Sequence, residues 1–280
     1  MHFVNAHFKI LIHNNHIRRQ GKAGKRQTAH NSDIIISNMQ ILFIRHADPD
    51  YTIDSLTPEG ELQAKALADY LEGVKIDRVF CSTLGRARKT ASYTLERKGM
   101  EAQYLPWLQE FRGKCEKPNT PGVTEYCWDW LPADWTKEPL FYDKNRWFNA
   151  PAFRGTNVRK EAQWVTKELD NLLSELGYKR AKGIYKAVRP NTETVAVFCH
   201  LGVQCIMLGH LLGISPMVLL HGLAPSPSSI TTVATEERAE GKAFFRVLEM
   251  GAVPHLRTAG LEPSFAARFC ECYYITEQRH

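Results

Sequence analysis

Residues 40–46 read QILFIRH, an apolar run that ends in an arginine and a histidine. A continuous apolar run of this length is typical of a strand that is covered on both faces of its sheet. An isolated buried charge is costly. The strand therefore ends either at the surface or at a place where Arg45 meets an anion.

Two further apolar runs end in polar residues of the same kind. The run RVFCS (residues 78–82) ends in Ser82 with Arg86 just beyond it, and VAVFCH (residues 195–200) ends in His200. The carboxyl ends of parallel strands line the ligand crevice of an α/β sheet. We therefore expect two arginines and two histidines to meet near helix N-termini, an arrangement that suits the oxygens of a phosphoryl group.

Helical patterns separate these strands. In residues 56–73, Thr57 is an N-cap residue, Pro58 takes the first helical position and Gly73 ends the helix. A second helix is predicted to begin near residue 84. Two more are predicted at about residues 159–176 and 202–212. This alternation of strands and helices predicts a three-layer α/β/α domain with a mostly parallel sheet.

The last part of the domain has a different pattern. Residues 229–235 (SITTVAT) and 243–250 (AFFRVLEM) are two strand-like runs on either side of a polar stretch. Runs of this kind with a short polar connection favour an antiparallel pair. We expect this pair to form the edge of the sheet.

Residues 112–155 form an irregular insert that is rich in tryptophan, proline and lysine. All six tryptophans of the chain lie between Trp107 and Trp164. A long irregular stretch inside a compact domain is usually functional or disordered, and this aromatic content argues against disorder. We interpret the insert as a cap with a small apolar cluster of its own. The alternative is a segment that only packs against the domain and never contacts the ligand.

Positive charge is concentrated at the start of the chain. The net charge is +6, but residues 1–38 hold six basic side chains and one acid, a net of +5 that leaves +1 for residues 39–280. A nearly neutral body does not favour a nucleic-acid partner. Residues 1–38 are interpreted as a disordered extension or a start-site artefact, with a presequence as the alternative, and residues 39–280 as a single domain.

The cysteines and the apolar runs bear on the compartment. Seven cysteines without a CxxC spacing do not indicate a disulfide framework. No apolar run approaches the ~18 residues that a membrane-spanning helix needs. The sequence therefore predicts a cytoplasmic protein with no membrane partner, and no feature indicates a particular oligomeric state.

Five stretches, taken in order, resemble one known family. They are RHA (45–47), LTPEGELQA (56–64), STLGRARKTA (82–91), LQE (108–110) and VAVFCHLG (195–202). Together they resemble the histidine phosphatase superfamily in its phosphoglycerate-mutase-like branch. The resemblance covers about residues 39–256 and implies the fold of that branch, with no metal and no cofactor.

The resemblance also implies a role for each matched residue. His46 would be the nucleophile, and Arg45 and Arg86 would hold the phosphoryl oxygens. His200 would be the second histidine of the pocket. Glu110 would be the general acid, with Glu101, Glu116 and Glu125 as alternatives close by in the sequence.

Three more residues are candidates for substrate contact. Asp48 directly follows the nucleophile segment, although Asp48 and Asp50 are better interpreted as solvated loop acids. Ser82 and Thr83 follow the second strand, and each taken alone is an ordinary N-cap residue.

The implied function is hydrolysis of a small-molecule phosphomonoester through a covalent phosphohistidine. After Glu110 the chain reads FRGK, where the mutases of the family typically have RHYG, and this departure favours a phosphatase. The alternatives are a phosphomutase or phosphotransferase of the same fold, and a non-catalytic module that binds a phosphorylated ligand.

Overall fold

The apolar run at residues 40–45 forms β1, an inner strand of an eight-stranded sheet. The computed structural model describes residues 38–265, 271–275 and 277. Apart from Asn38, the predicted basic extension lies outside the described residues, as does most of the chain beyond residue 265.

Twelve strands and seven helices are present in the described residues. The strands are β1 (Gln40–Arg45), β2 (Pro49–Asp50), β3 (Ser55–Leu56), β4 (Arg78–Ser82), β5 (Gln103–Leu105), β6 (Lys114–Lys117), β7 (Thr120–Tyr126), β8 (Tyr178–Ala181), β9 (Ile184–Ala187), β10 (Thr194–Cys199), β11 (Ile230–Ala239) and β12 (Lys242–Ala252). The helices are α1 (Pro58–Glu72), α2 (Gly85–Lys98), α3 (Pro132–Trp135), α4 (Val158–Glu175), α5 (Leu201–Leu212), α6 (Pro216–Gly222) and α7 (Pro254–Ala259).

The order of strands in the sheet brings the predicted strand ends together. It runs β5-β4-β10-β1-β11-β12-β9-β8, and β5, β4, β10 and β1 are parallel. Arg45 is paired with Cys199 across β1 and β10, and Phe198 is paired with Cys81 across β10 and β4. The three carboxyl ends are therefore level, so the residues that follow them share one crevice.

Side chains of β1 alternate between two hydrophobic clusters, one on each face of the sheet. Ile41 and Phe43 belong to a cluster that includes residues of α4 and α5. Leu42 and Ile44 belong to a second cluster with residues of α1 and α2. Helices therefore cover both faces, which confirms the predicted three-layer architecture and explains why this strand is apolar throughout.

The predicted antiparallel pair exists as β11 and β12, but it is not the edge of the sheet. The strands β9 and β8 lie beyond β12. Lysines, an arginine and a glycine in residues 178–187 hide their strand pattern, yet Tyr178 and Tyr185 are buried, and Tyr185 packs edge-on against Phe245 at 4.9 Å between ring centroids. The prediction was wrong because two buried rings outweigh the polar composition of these short strands.

The insert packs into the main core. It contains the hairpin β6–β7, the short helix α3 and three 3₁₀ turns (Pro139–Tyr142, Trp147–Asn149 and Pro151–Phe153). Trp128, Trp130 and Trp147 are buried in the same cluster as the apolar faces of α4 and α5. The expectation of a separate apolar cluster was therefore wrong, because these large rings share one cluster with the helices and with sheet residues such as Phe43.

Helix ends follow the expected chemistry in α1. Thr57 Oγ1 accepts a hydrogen bond from the N–H of Gly60 at 3.0 Å, Pro58 opens the helix and Gly73 is its C-cap.

Within the described part of the chain, no helix has both the length and the apolar character that a membrane crossing needs.

Candidate active site

His46 lies directly after β1 and is 1% exposed. Its backbone N–H donates to the carbonyl of Cys199 at 3.0 Å, which ties it to the neighbouring strand. Its ring nitrogen Nδ1 lies 2.8 Å from the carbonyl oxygen of Ala47. Because a carbonyl can only accept, Nδ1 carries the ring proton and Nε2 keeps a free lone pair.

Two side chains hold the segment that follows His46. The N–H of Ala47 donates to Thr90 Oγ1 at 2.9 Å, and that hydroxyl donates to the carbonyl of Arg86 at 2.8 Å. The N–H of Asp48 donates to Gln63 Oε1 at 3.0 Å. The helices α1 and α2 therefore fix the backbone beside the histidine.

His200 stands beside His46 at the end of β10. The ring centroids are 5.0 Å apart with 53° between the ring planes, and His200 is fully buried. Its Nε2 lies 2.9 Å from Ser82 Oγ, which also accepts the N–H of Leu84 at 3.2 Å. The other ring nitrogen, Nδ1, has no hydrogen-bond partner among the described residues.

The two arginines are both buried, and each is held by an oxygen. Arg45 Nη1 donates to the carbonyl of Pro225 at 2.6 Å. Arg86 Nη1 donates to Asp54 Oδ1 at 2.6 Å. Each guanidinium is thereby oriented by one of its donors, and both charges act on the pKa values of the two histidines.

Glu110 reaches the same crevice from the loop after β5. Its Oε1 accepts the N–H of Phe111 at 2.8 Å and the N–H of Val203, in the first turn of α5, at 3.1 Å. A Cβ on Gly202 would stand 2.6 Å from that oxygen. Position 202 therefore requires a glycine for the carboxylate to approach the helix.

The alternative acids lie elsewhere. Glu101 is exposed, and Glu116 accepts the N–H of Gly122 at 3.1 Å at the far end of its hairpin. Glu125 forms an ion pair with the buried Lys117 at 2.9 Å. Of the four glutamates considered, only Glu110 is held at the ends of the parallel strands.

Burial and charge set the protonation of the site. Burial, and after it the charge of Arg45, holds the pKa of His46 well below its ordinary value of 6.5. Burial also holds the pKa of His200 well below 6.5, aided by His46 and Arg86. Burial raises the pKa of Glu110 above its ordinary 4.5, although the Phe111 N–H and Arg45 act against that shift. The free site therefore favours neutral imidazoles and a carboxyl that retains its proton to a higher pH than usual.

Asp48 is not a solvated loop acid. It is buried, its Oδ2 accepts from Thr57 Oγ1 at 2.7 Å and its Oδ1 accepts from Ser264 Oγ. Its carboxylate is thus used within the protein, where two hydroxyls compensate for its burial. Asp50 is partly exposed and bonds to Thr52, as the loop-acid interpretation requires.

Ser82 and Thr83 are not simple helix caps. The N-cap position of α2 is Leu84, which provides no side-chain bond. Ser82 contacts His200 as described, whereas Thr83 Oγ1 accepts from Gln109 Nε2 at 2.6 Å, next in the chain to Glu110. Ser82 therefore touches the crevice and Thr83 supports the loop that carries the acid.

Sequence reasoning missed Asp54, which performs the capping of α2. Its Oδ2 accepts the N–H of Gly85 at 2.6 Å while its Oδ1 holds Arg86. The chain at Asp54 has φ of +48°, and a Cβ on Gly85 would stand 2.0 Å from the Asp54 carbonyl oxygen. An acid 31 residues from its N–H partner leaves no local pattern, so nothing in the sequence near α2 points to it.

A second missed contact lies behind His46. The N–H of Ser228 donates to the carbonyl of His46 at 3.0 Å, and Ser228 Oγ lies 2.9 Å from His255 Nε2. Ser228 has φ of +61°, a left-handed conformation that glycine adopts more readily. Its signal in the sequence was weak, since a serine among prolines is typical of any loop.

The chain is similar in sequence to known phosphatases. Adenosylcobalamin/alpha-ribazole phosphatase of Escherichia coli is 32% identical over 201 residues, which cover 65% of this chain and 84% of that protein. A protein of the same name from Salmonella typhi is 23% identical over 233 residues, or 77% of this chain and 98% of that protein.

Solved structures show the same fold. A mycobacterial glucosyl-3-phosphoglycerate phosphatase superposes with a TM-score of 0.51 at 18% identity, over 77% of this chain and 99% of that chain. The sequence model of the histidine phosphatase superfamily (branch 1) matches residues 38–243. The chain therefore belongs to the histidine phosphatase superfamily, branch 1, and is a hydrolase.

Proposed function

We propose that the protein hydrolyses a small-molecule phosphomonoester through a covalent phosphohistidine on His46. The observation that carries this proposal is the placement of His46, with Nδ1 committed to the Ala47 carbonyl at 2.8 Å and the ring 5.0 Å from that of His200. A neutral histidine with a free Nε2 lone pair, close enough to Arg45 and Arg86 for their charges to act on its pKa, is equipped to attack an electrophilic phosphorus.

In the first step, the Nε2 lone pair of His46 forms an N–P bond while the ester O–P bond breaks. Glu110 gives its proton to the departing alkoxide and becomes a carboxylate. Both backbone hydrogen bonds of Glu110 end on Oε1, which leaves Oε2 to carry the proton. The raised pKa of Glu110 supports this role, because a general acid must hold its proton near the working pH.

In the second step, the carboxylate of Glu110 takes a proton from water. The water oxygen forms an O–P bond, the N–P bond breaks and inorganic phosphate leaves. His46 is neutral again with its Nδ1 proton still donated to Ala47, and Glu110 has regained its proton. Each step is thus one displacement at phosphorus.

The arginines and His200 stabilise the charge on the transferring phosphoryl group. Arg45 and Arg86 provide guanidinium donors in a buried setting, where hydrogen bonds to an anion are strong. Ser82 Oγ accepts from Leu84 and faces Nε2 of His200, so its own proton can go to that nitrogen. Nδ1 of His200 then carries the ring proton and donates it to a phosphoryl oxygen.

The substrate class proposed is a small phosphorylated molecule. The relatives named adenosylcobalamin/alpha-ribazole phosphatase support it. We also place the protein in the cytoplasm or another reducing compartment, because Cys81, Cys115, Cys127, Cys199 and Cys205 are buried free thiols.

The proposal is tested by chemical quenching during turnover. The protein is mixed with a ³²P-labelled phosphomonoester, quenched within milliseconds and digested, and the label is located by mass spectrometry. We expect a phosphate that is labile in acid, stable in base and attached to His46. His46→Ala should lose the label, and its turnover should decrease by about 10⁴-fold or more.

The matched control is His210→Gln. His210 is a histidine on α5 that bonds Asp170 at 2.9 Å and lies at the end of the helix away from the crevice. It should label and turn over like the wild type. Unlabelled protein during turnover, together with an active His46→Ala variant, would refute the mechanism.

A further inference from the structure

The proposed mechanism fixes the direction in which the rest of the bound substrate extends away from its phosphoryl group. An in-line displacement places the leaving oxygen opposite Nε2 of His46. That oxygen must also lie next to Glu110, which protonates it. The group attached to the oxygen therefore passes the surroundings of Glu110, and the inference below rests on the proposed function to this extent.

Aromatic rings of the insert extend outward from Glu110. The site of a Cβ on Gly202 is 2.6 Å from Glu110 Oε1 and 2.9 Å from Cη2 of Trp128, so carboxylate and indole meet over one glycine. Tyr126 stacks on Trp128 at 4.7 Å between ring centroids with 26° between planes. Trp128 is buried, whereas Tyr126 is 42% exposed, so this wall runs from the acid to the surface.

A second ring lies on the side of the arginines. Tyr51, in the turn between β2 and β3, has the guanidinium of Arg86 5.3 Å from its ring centroid. The side chain is nonetheless 64% exposed. One face of the Tyr51 ring is therefore on the arginine, and the other is open at the mouth of the pocket.

The two tyrosines flank the same opening. The charges of Arg86 and Glu110 act on both hydroxyls, and Tyr126 also acts on the hydroxyl of Tyr51. Both side chains are partly exposed, but partial desolvation of the two hydroxyls raises the pKa of each phenol, so both remain neutral at physiological pH. Tyr126 already has Trp128 and Lys114 over its ring, at 4.7 and 5.4 Å, and so presents its edge to the opening.

We infer that Tyr51 and Tyr126 form an aromatic slot that selects phosphomonoesters whose alcohol carries a flat aromatic ring. Such a ring stacks on the open face of Tyr51 and meets the edge of Tyr126, and both arrangements are favourable for aromatic pairs. A saturated ring of the same carbon count is thicker and has no π face. The hairpin of the insert thus contributes a specificity-determining residue.

The experiment compares substrates with matched leaving groups. The substrates 2-phenylethyl phosphate and 2-cyclohexylethyl phosphate share the same link to phosphorus and alkoxides of similar basicity, so they differ in the ring alone. Ethyl phosphate is too short to reach the slot and reports the catalytic machinery. We expect the wild type to favour the phenyl over the cyclohexyl substrate by about fivefold to tenfold in kcat/KM.

The variants distinguish the contribution of each aromatic ring from that of its hydroxyl, and the slot tyrosines from a tyrosine elsewhere on the surface. Tyr51→Ala and Tyr126→Ala should each reduce the phenyl-to-cyclohexyl ratio toward one, while Tyr51→Phe and Tyr126→Phe keep it. The control is Tyr104→Ala, because Tyr104 is 43% exposed and has Arg88 5.0 Å from its ring centroid but lies on the edge strand β5. It should keep the wild-type ratio.

The outcomes distinguish the slot from the mechanism. Turnover of all three phosphates through a labelled His46 with a wild-type ratio near one would overturn the slot and leave the proposed function standing. The slot is likewise overturned if both alanine variants turn over ethyl phosphate normally and keep the full ratio. No turnover and no phosphohistidine with any substrate would overturn the proposed function itself, and the slot with it.

Discussion

The proposed phosphate end and the proposed leaving-group end of this site are built differently. His46, His200, Arg45 and Arg86 follow the ends of parallel strands or open a helix, and all are buried. Glu110, Tyr126 and Tyr51 come from loops and hairpins, and Tyr51 and Tyr126 are exposed. Strand ends are positioned by backbone pairing, whereas loops can change without disturbing the sheet. The comparison suggests that the sheet determines the reaction and that the loops determine the substrate.

The largest effect is expected at the phosphate end. Arg86→Ala removes a buried guanidinium from the transferring phosphoryl group and should lower kcat/KM by about 10²- to 10³-fold. Because the arginine acts on the phosphoryl group, the loss should not depend on the basicity of the leaving group. Arg86→Lys should recover only part of it, since an ammonium lacks the planar fork. Steady-state kinetics on alkyl and aryl phosphates measure this.

The control for that variant is Arg88→Ala, on the same helix with its guanidinium over Tyr104. It should retain wild-type kinetics. A loss for Arg86→Ala that depends strongly on the leaving group would break the proposed separation of the two ends.

At the leaving-group end, Glu110→Gln should discriminate between substrates. Loss of the general acid should reduce turnover of alkyl phosphates by about 10²-fold or more. Release of a p-nitrophenolate needs no proton, so the first step on p-nitrophenyl phosphate should change much less. Glu125→Gln serves as the control, because Glu125 pairs with Lys117 inside the insert. Equal losses in the rate of the first step on both substrates would show that Glu110 is not the acid.

The pH dependence of alkyl phosphate turnover sharpens the same comparison. Burial lowers the pKa of His46. As the pH increases, the imidazole therefore loses its proton at the acid end of the range, and activity should increase there. Burial raises the pKa of Glu110, so activity should fall as pH increases through that raised value and the acid loses its proton. Glu110→Gln should abolish the alkaline limb of the kcat/KM profile, which reports the free protein, and leave the acid limb in place. An alkaline limb that survives in Glu110→Gln would assign it to another group.

The smallest effect is expected at Asp54. Its carboxylate holds Arg86 of the phosphate end, and it lies in the same turn as Tyr51 of the leaving-group end. Asp54→Asn keeps an oxygen for the N–H of Gly85 but loses the charge that holds Arg86, and the carboxylate is partly exposed. We expect inorganic phosphate to inhibit about fivefold more weakly. Asp50→Asn is the control, because Asp50 lies in the same hairpin and its carboxylate accepts hydrogen bonds from Thr52. An unchanged inhibition constant would show that Asp54 only caps α2.

The phosphate end could be predicted from the sequence and most of the leaving-group end could not. Arg45, His46 and His200 follow continuous apolar runs, and the parallel register brings such strand ends together. The buried role of Asp48 was missed, because its partners Thr57 and Ser264 lie 9 and 216 residues away. Asp54 was missed for the same reason.

The aromatic residues near the site were equally hard to place. Tyr51 follows a loop acid in a polar stretch, where an exposed tyrosine is unremarkable in sequence terms. Tyr126 and Trp128 belong to the insert, whose composition indicated a cap but not which rings face Glu110. The position of a loop residue depends on long-range packing, and periodicity carries no information about it.

The most direct test of the central claim uses the Glu110→Gln variant with p-nitrophenyl phosphate. The variant can still transfer the phosphoryl group to His46 but cannot activate water to release it. A stopped-flow trace should show a burst of close to one nitrophenolate per protein molecule, and quenched protein should carry phosphate on His46. A linear trace without a burst, with unmodified His46, would contradict the covalent mechanism.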